Sequence, residues 1–341
     1  MNALTIIEPG RRAGEFAGPS QVDPLSDAFR TVRMTSAAFF RVIADGPSVA
    51  DQLPSDAALS TMLGGAQHTI IYYIVTEGSC FATLGRSASI ELHAGQIVVF
   101  PSGEAHQISS EPVQADPSLE CRFAPAEMRL GAEIAGETRP NAKLVCGHFA
   151  CDSGPFDLLL KHLPPMLIGE SAEDPSLPSA PELIQIAMGE SERIQVSRQT
   201  VLGRLAELML IQVVRQHVQR MPAGSATWLS ALRDESVGRA IALMHGDPRR
   251  NWSINRLARE VGLSRSRFAE RFTSLVGIPP KQYLAKWRME RAARLLCCSV
   301  NIASIANEVG YSSEASFSRA FKKIIGVPPS RWRRQEELVA A

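Results

Sequence analysis

The sequence predicts an α+β protein of two domains. The first is an N-terminal β-barrel with a helical linker, and the second is an all-α C-terminal domain holding two helix-turn-helix motifs. Three observations predict this. One residue pattern occurs twice near the carboxyl end, 48 to 49 residues apart. Short β-branched and aromatic runs, separated by glycine turns, fill much of the first half. The charge is divided between the halves although the whole chain carries only +1.

The repeat comes first. Ala258, Gly262, Phe268, Phe272, Gly277, Pro279 and Pro280 recur as Ala306, Gly310, Phe317, Phe321, Gly326, Pro328 and Pro329, and Tyr283 and Trp332 close the copies. In the first copy Ile254, Leu257, Ala258 and Val261 lie on one helical face. Gly262 can adopt positive φ and stop that helix. Ser264 is a suitable N-cap for the next one. That second helix buries Phe268 and Phe272 and exposes Arg265, Ser266, Arg267, Glu270 and Arg271. Two helices across a short turn, the second basic on its outer face, suit a DNA major groove.

The second copy repeats the design. Ile302, Ile305, Ala306 and Val309 form the first helix, and Ser312 or Ser313 caps the second. Glu314, Ala315, Ser316, Arg319, Lys322 and Lys323 face outward from it. Between the copies, residues 280–298 read as one helix with Leu284, Trp287, Leu295 and Leu296 inward. About 18 residues at roughly 1.5 Å each span about 27 Å. Such a spacer can hold two recognition helices near one DNA turn apart, roughly 34 Å.

Charge agrees. Residues 231–341 contain 20 Lys and Arg against 10 Asp and Glu, and residues 1–230 contain 16 against 25. A basic module, able to displace counterions from phosphates, follows an acidic one that DNA would repel.

Residues 252–332 resemble the DNA-binding domain of AraC/XylS-type transcription regulators. The resemblance lies in 257–264, the phenylalanine pair at 268 and 272, and residues 277–288, 305–311, 317–322 and 326–333. It implies seven helices and two recognition helices. The first would present Arg265, Ser266, Ala269 and Glu270 to bases. The second would present Glu314, Ala315, Ser316 and Arg319. Ala269 and Ala315 depart from the polar pattern and can touch only a thymine methyl. Glu270 and Glu314 accept from cytosine N4 or pair with a neighbouring arginine, so the bases read stay open. Arg267, Arg271, Lys322, Lys323 and Arg331 are expected on phosphates, where they position rather than specify.

In the first half, strands are expected at 39–44, 69–75, 80–84, 90–92 and 97–100, with turns at Glu77-Gly78 and Gly95. Gly95, Pro101, Gly103 and His106 match the second cupin motif, so this half resembles a cupin sensor domain preceding the DNA-binding half. Residues 146–149 and 163–166 resemble that sensor's closing segment. The first cupin motif, with its His-x-His, is not met. His68 and His106 fall short of the three or four ligands a cupin metal centre uses. Neither metal nor cofactor is therefore expected. His68, Tyr72, Phe81 and His106 are the expected lining of an effector pocket.

The expected organisation is a flexible arm at 1–26, the cupin-like domain at 27–165, a helical linker or dimerisation segment at 166–225, and the DNA-binding domain at 226–341. Residues 171–181 read as a solvated loop, and 221–225 as a joint. Val201, Leu205, Leu208, Met209, Ile211, Val213 and Val214 make a wide apolar stripe on a helix over 200–219. It either packs against a copy of itself, as the resemblance suggests, or caps the barrel. The six cysteines at 80, 121, 146, 151, 297 and 298 show no repeated metal spacing. Cys146 and Cys151 form either a redox pair or two buried thiols. No apolar run approaches 18 residues, and the N-terminus lacks a basic, then apolar, leader. A cytoplasmic location is expected.

The function expected is sequence-specific transcription regulation, not catalysis, under control of a small-molecule effector. The partners are an operator duplex, a second copy of the chain as a homodimer, and RNA polymerase as a further candidate. The alternative is a metal-dependent cupin enzyme fused to a DNA-binding module.

Overall fold

The computed structural model describes residues 23–44, 68–85, 87–104, 106–112, 142–153, 159–170, 182–183, 185–186, 189, 198–222, 225–297 and 300–340. Most of the expected arm, the loop at 171–181, Cys121 and Cys298 lie outside them.

A short helix, α1 (Pro24–Phe29), opens the described chain with Asp23 as its cap. The strands are β1 (Val32–Ala44), β2 (His68–Leu84), β3 (Ile90–His93), β4 (Ile97–Phe100), β5 (His106–Ser109), β6 (Ala142–Ser153) and β7 (Leu167–Gly169). All pairings are antiparallel. The order is β1-β6-β2-β4-β7, and β3 and β5 pair with the far end of β2.

The expected turn at Glu77-Gly78 is not a turn. The register shifts between Val75 and Glu77, and Gly78 takes φ 74°, so β2 bends and continues. A bulge redirects a strand without ending it. The first part of β2 pairs with β4 and β6, and the second part with β3 and β5. The two predicted strands are thus one 17-residue strand folded around the barrel's corner.

Side-chain alternation gives β2 two faces. Ile71, Tyr73, Val75, Cys80 and Ala82 join Val98, Phe100, Ile108, Leu144 and Cys146 inside the barrel. Ile70, Tyr72 and Ile74 join Phe149 and Cys151 in a second cluster outside the sheet. A long helix, α2 (Arg198–Arg220), packs on β1 and β7 and covers that outer face. Its Ala206, Met209, Leu210, Val213, Val214 and Val218 are buried within the same chain. A Cβ at Gly169 would stand 2.9 Å from Val213, so the missing side chain permits this close approach. Gln216 bonds both backbone groups of Glu170 at 2.9 Å. The helix thus packs on the barrel, with Val201, Leu205, Leu208 and Ile211 of its apolar stripe left half-buried.

The C-terminal half comprises α3 (Trp228–Arg233), α4 (Glu235–Gly246), α5 (Ile254–Glu260), α6 (Arg265–Val276), α7 (Pro280–Leu296), α8 (Ile302–Glu308), α9 (Glu314–Ile325) and α10 (Pro329–Ala340). The expected domain at 226–341 thus holds eight described helices, one more than the seven the resemblance implied. Ser253, Ser264, Asn301 and Ser313 each accept a backbone N–H at a helix start. Gly277 and Gly326 end the recognition helices at φ 80° and 96°, which an L-residue reaches only under strain.

The core divides along α7. Tyr283, Leu284 and Trp287 belong to the cluster holding Phe268 and Phe272, which continues through α3, α4 and α2 to the outer face of the sheet. Met289, Ala292, Ala293 and Leu296 belong to a separate cluster with Phe317 and Phe321. One helix therefore supplies both helix-turn-helix cores, and the change falls between Trp287 and Met289.

Candidate nucleic-acid interface and barrel interior

In each recognition helix, phenylalanines four residues apart anchor one face. Phe268, Phe272, Phe317 and Phe321 are all fully buried. Their rings stand 5.7 Å apart in α6 and 5.5 Å apart in α9. A helix so held presents its other face to solvent. On α6, Arg265, Ser266, Arg267, Glu270 and Arg271 are exposed and Ala269 is half-buried. On α9, Glu314, Ala315, Arg319, Lys322 and Lys323 are exposed, and Arg331 is exposed at the start of α10. Ser316 is half-buried, and its hydroxyl donates to the Ser313 carbonyl at 2.8 Å. Of the two cap candidates Ser312 and Ser313, Ser313 takes the role. No ion pair of Glu270 or Glu314 is present among the described residues.

Arg271 differs from the expectation of a free phosphate contact. Its Nε and Nη2 donate to Asp234 Oδ2 at 2.9 and 2.5 Å. Asp234 also caps α4 through the amides of Ser236 and Val237. Burial pushes its carboxyl up, but the Arg271 guanidinium and those amides outweigh this and hold it below the usual value. Nothing in local sequence pairs residues 37 apart, so the contact was not foreseeable.

The barrel interior also departs from the expected lining. His106 is buried inside the barrel and stacks on Phe100, with ring centres 3.8 Å apart. Its Nε2 lies 3.0 Å from the Tyr73 hydroxyl, and its Nδ1 lies 2.6 Å from the Glu104 carbonyl. Tyr72 points the other way. Its ring lies tilted against Phe149, 4.3 Å between centres, and crosses Gly147, where a Cβ would stand 2.0 Å from its ring. His68 shares the parity of Tyr72 and bonds the Pro101 carbonyl at 2.6 Å. Phe81 alternates with inward Cys80 and Ala82 and is half-buried on the opposite face. Of the four expected residues only His106 faces in, because one step along a strand reverses the face. The parity missed Tyr73 and His148.

His148 is fully buried, with its Nε2 3.5 Å from Cys146 Sγ. Burial lowers His106 to about 4 and His148 to about 3, so both are neutral near pH 7. Burial raises the Cys80 thiol to about 12 and pushes Cys146 up as well, which suppresses their thiolates. Cys146 and Cys151 lie in different clusters on opposite faces of β6, so they are buried thiols and not a disulfide-ready pair. Among the described residues no three His, Cys, Asp or Glu gather as a metal site.

A buried polar chain joins the halves. Asp27 Oδ2 lies 3.3 Å from His245 Nδ1, and His245 Nε2 lies 2.9 Å from the Tyr283 hydroxyl, which accepts from Trp228 Nε1 at 3.0 Å. His245 also stacks on Trp287 at 3.6 Å. Burial lowers the His245 pKa and outweighs the opposing Asp27 charge. No described helix is long and apolar enough to cross a membrane.

Residues 23–219 match the cupin family, and residues 257–335 match a helix-turn-helix domain family. A putative AraC-like transcription regulator of Streptomyces lividans is 31% identical over 271 residues, 79% of this chain and 88% of that protein. The regulator AlkR of Acinetobacter baylyi is 30% identical over 279 residues, 79% of this chain and 89% of that one. A solved transcriptional regulator with an AraC-type DNA-binding domain, from Chromobacterium violaceum, is 28% identical, covers 30% of this chain and 91% of its own, and has a TM-score of 0.29. The chain therefore belongs to the AraC-like transcription regulators, with a cupin domain preceding its paired helix-turn-helix motifs.

Proposed function

We propose that this regulator lays α6 and α9 into two major grooves of one duplex, under the control of a small molecule held in the barrel. The doubled recognition helix carries this reading: serine-capped, anchored through two phenylalanines, basic and polar outside. Arg265, Ser266, Ala269 and Glu270 face bases from α6, and Glu314, Ala315, Ser316 and Arg319 face them from α9. Arg267, Lys322, Lys323 and Arg331 neutralise phosphates. Arg271 joins them only if DNA draws it from Asp234.

The effector site is the polar group of Tyr73, His106, Cys146 and His148 within the apolar barrel. Neutral imidazoles and suppressed thiolates suit a mainly apolar molecule with one hydrogen-bonding group. Such a ligand regulates only by binding one arrangement of the halves better than another. The α2 helix between barrel and DNA-binding half is well placed to carry the difference. With His68 and His106 on opposite faces of the sheet, the enzyme alternative lacks a gathered donor set. Our reading is a regulator acting in the cytoplasm, and among the described residues no three possible ligands gather as a metal site. Met209, Val213 and Val214 of the α2 stripe are buried within the chain while Val201, Leu205, Leu208 and Ile211 are half-buried, so homodimer formation is a separate question, measured by light scattering.

The test is a titration of Arg319→Ala at fixed salt. On a duplex selected from a random pool we expect a loss of about 5- to 150-fold, the worth of about 1–3 kcal/mol for one base contact. On an unselected duplex the loss is expected to stay within about threefold, as for one phosphate contact. Equal losses on both would make Arg319 a phosphate contact only.

A further inference from the structure

Arg288 sits on α7 where the two cores meet. Trp287 before it belongs to the first helix-turn-helix core, and Met289 after it belongs to the second. Its side chain does not run out to solvent. Nε donates to the Pro248 carbonyl at 2.8 Å, and Nη2 donates to the Arg250 carbonyl at 3.1 Å. Both carbonyls lie in the loop between α4 and α5, in the first module. The guanidinium also stands over the Tyr311 ring, 5.7 Å from its centre, and Tyr311 lies in the turn of the second module. One planar cation thus touches both modules.

The surrounding contacts tighten the same seam. Arg249 Nε donates to the Glu308 carbonyl at 3.3 Å, and Arg291 Nη2 approaches Glu308 Oε1 at 3.4 Å. A Cβ on Gly310 would stand 2.8 Å from the Arg249 carbonyl oxygen and 2.9 Å from Arg288 Nη2. Gly310 also has φ 83°. The second turn therefore rests directly on the first module's loop, with the arginine between them.

We propose that Arg288 is a positioning residue that fixes the angle between the two modules and so sets the half-site spacing the protein accepts. The proposal rests on the DNA-binding reading above. A helix shared by two cores can still bend or roll, and it fixes separation better than rotation. The bidentate grip on two carbonyls, with the aromatic face beneath, restrains that rotation. A lysine keeps the charge but is a point donor on a flexible stem, and it cannot reproduce the fork.

The experiment uses the full-length chain and the duplex that this chain selects from a random pool. Affinity is measured on that duplex and on versions with one or two base pairs inserted between the half-sites. For the unsubstituted protein each insertion rotates one half-site by roughly 34°, one base-pair step of a turn of about 10.5 bp, and we expect at least about a 30-fold loss. In Arg288→Lys we expect affinity for the selected spacing to fall several-fold and the penalty for one inserted pair to shrink to about fivefold or less. Gly310→Ala, which presses on the same contact from the other side, should shrink it likewise. An unchanged ratio in a folded Arg288→Lys protein overturns the proposal, even if overall affinity falls. Should both variants fail to fold, the unsubstituted chain decides: indifference to the insertion overturns the proposal. If the chain selects no sequence at all, the DNA-binding reading fails first, and the proposal with it.

Discussion

Replacing Phe321 by alanine should unfold one module and spare the rest. Phe321 is fully buried, with its ring centre 5.5 Å from Phe317 and 6.3 Å from Trp332. Truncating such a phenylalanine costs about 3–5 kcal/mol through lost burial and the cavity left behind. Whole domains are stable by only about 5–15 kcal/mol. The second core holds nine buried residues, so this loss removes most of what stabilises α8 to α10. None of those nine belongs to the cluster that unites the sheet, α2 and the first module. Hydrogen exchange followed by mass spectrometry reads the outcome segment by segment. Peptides from 300–335 should lose protection, while those from 228–285 and the barrel keep theirs. Affinity for the selected duplex should drop to that of a single module, with a shallower salt dependence. Equal loss of protection in both modules would show one cooperative core and refute the division at Trp287.

The polar groups His106, Asp234 and Asp27 can each be perturbed singly. His106 and His148 have folded pKa values depressed to about 4 and about 3, so the unfolded chain takes up protons first. Stability is then full above about pH 7 and is lost as pH falls from about 6.5 towards 4 for His106 and towards 3 for His148, with His106 alone accounting for about 2 kcal/mol at pH 5. Urea melts at pH 7.5 and 5 should show this, and His106→Asn should remove about half of the loss, His148 keeping the rest; a variant with the same loss contradicts the assignment. Asp234→Asn keeps a good helix cap but releases Arg271, so unselected DNA should bind more tightly with a salt slope steeper by about one charge. An unchanged slope would mean that the pair already opens on DNA. Asp27→Ala removes the carboxylate facing His245, so exchange in α1 should rise while α8 to α10 stay unchanged, at a stability cost of about 1–3 kcal/mol. Unchanged exchange in α1 would mean that His245 does not hold it.

The legible parts were those with local causes. Serine caps, terminating glycines and phenylalanines four apart are short-range signals, and the two copies around Phe268 and Phe317 could be read from them to within a residue or two. The shared helix over 280–296 was legible through Trp287 and Leu296, but not the handover of cores within it. What failed depends on parity and on distance. Reading Glu77-Gly78 as a turn broke β2 in two, because a bulge and a turn use the same residues. Choosing Tyr72 over Tyr73 took the residue that faces away from the barrel interior, since both positions are aromatic and both faces of that strand are buried. Asp234 with Arg271, Asp27 with His245, and Arg288 with the 248–250 loop join residues 37 to 218 apart in sequence. No periodicity announces such pairs.

If α6 and α9 read one duplex together, methylation protection of guanines, with the full-length chain on its selected duplex, should reveal two protected major-groove patches, centred about one helical turn apart on one face of the DNA. Arg319→Ala should erase contacts in one patch and leave the other. A single protected patch, or protection that Arg319→Ala weakens evenly along the whole site, would contradict that reading.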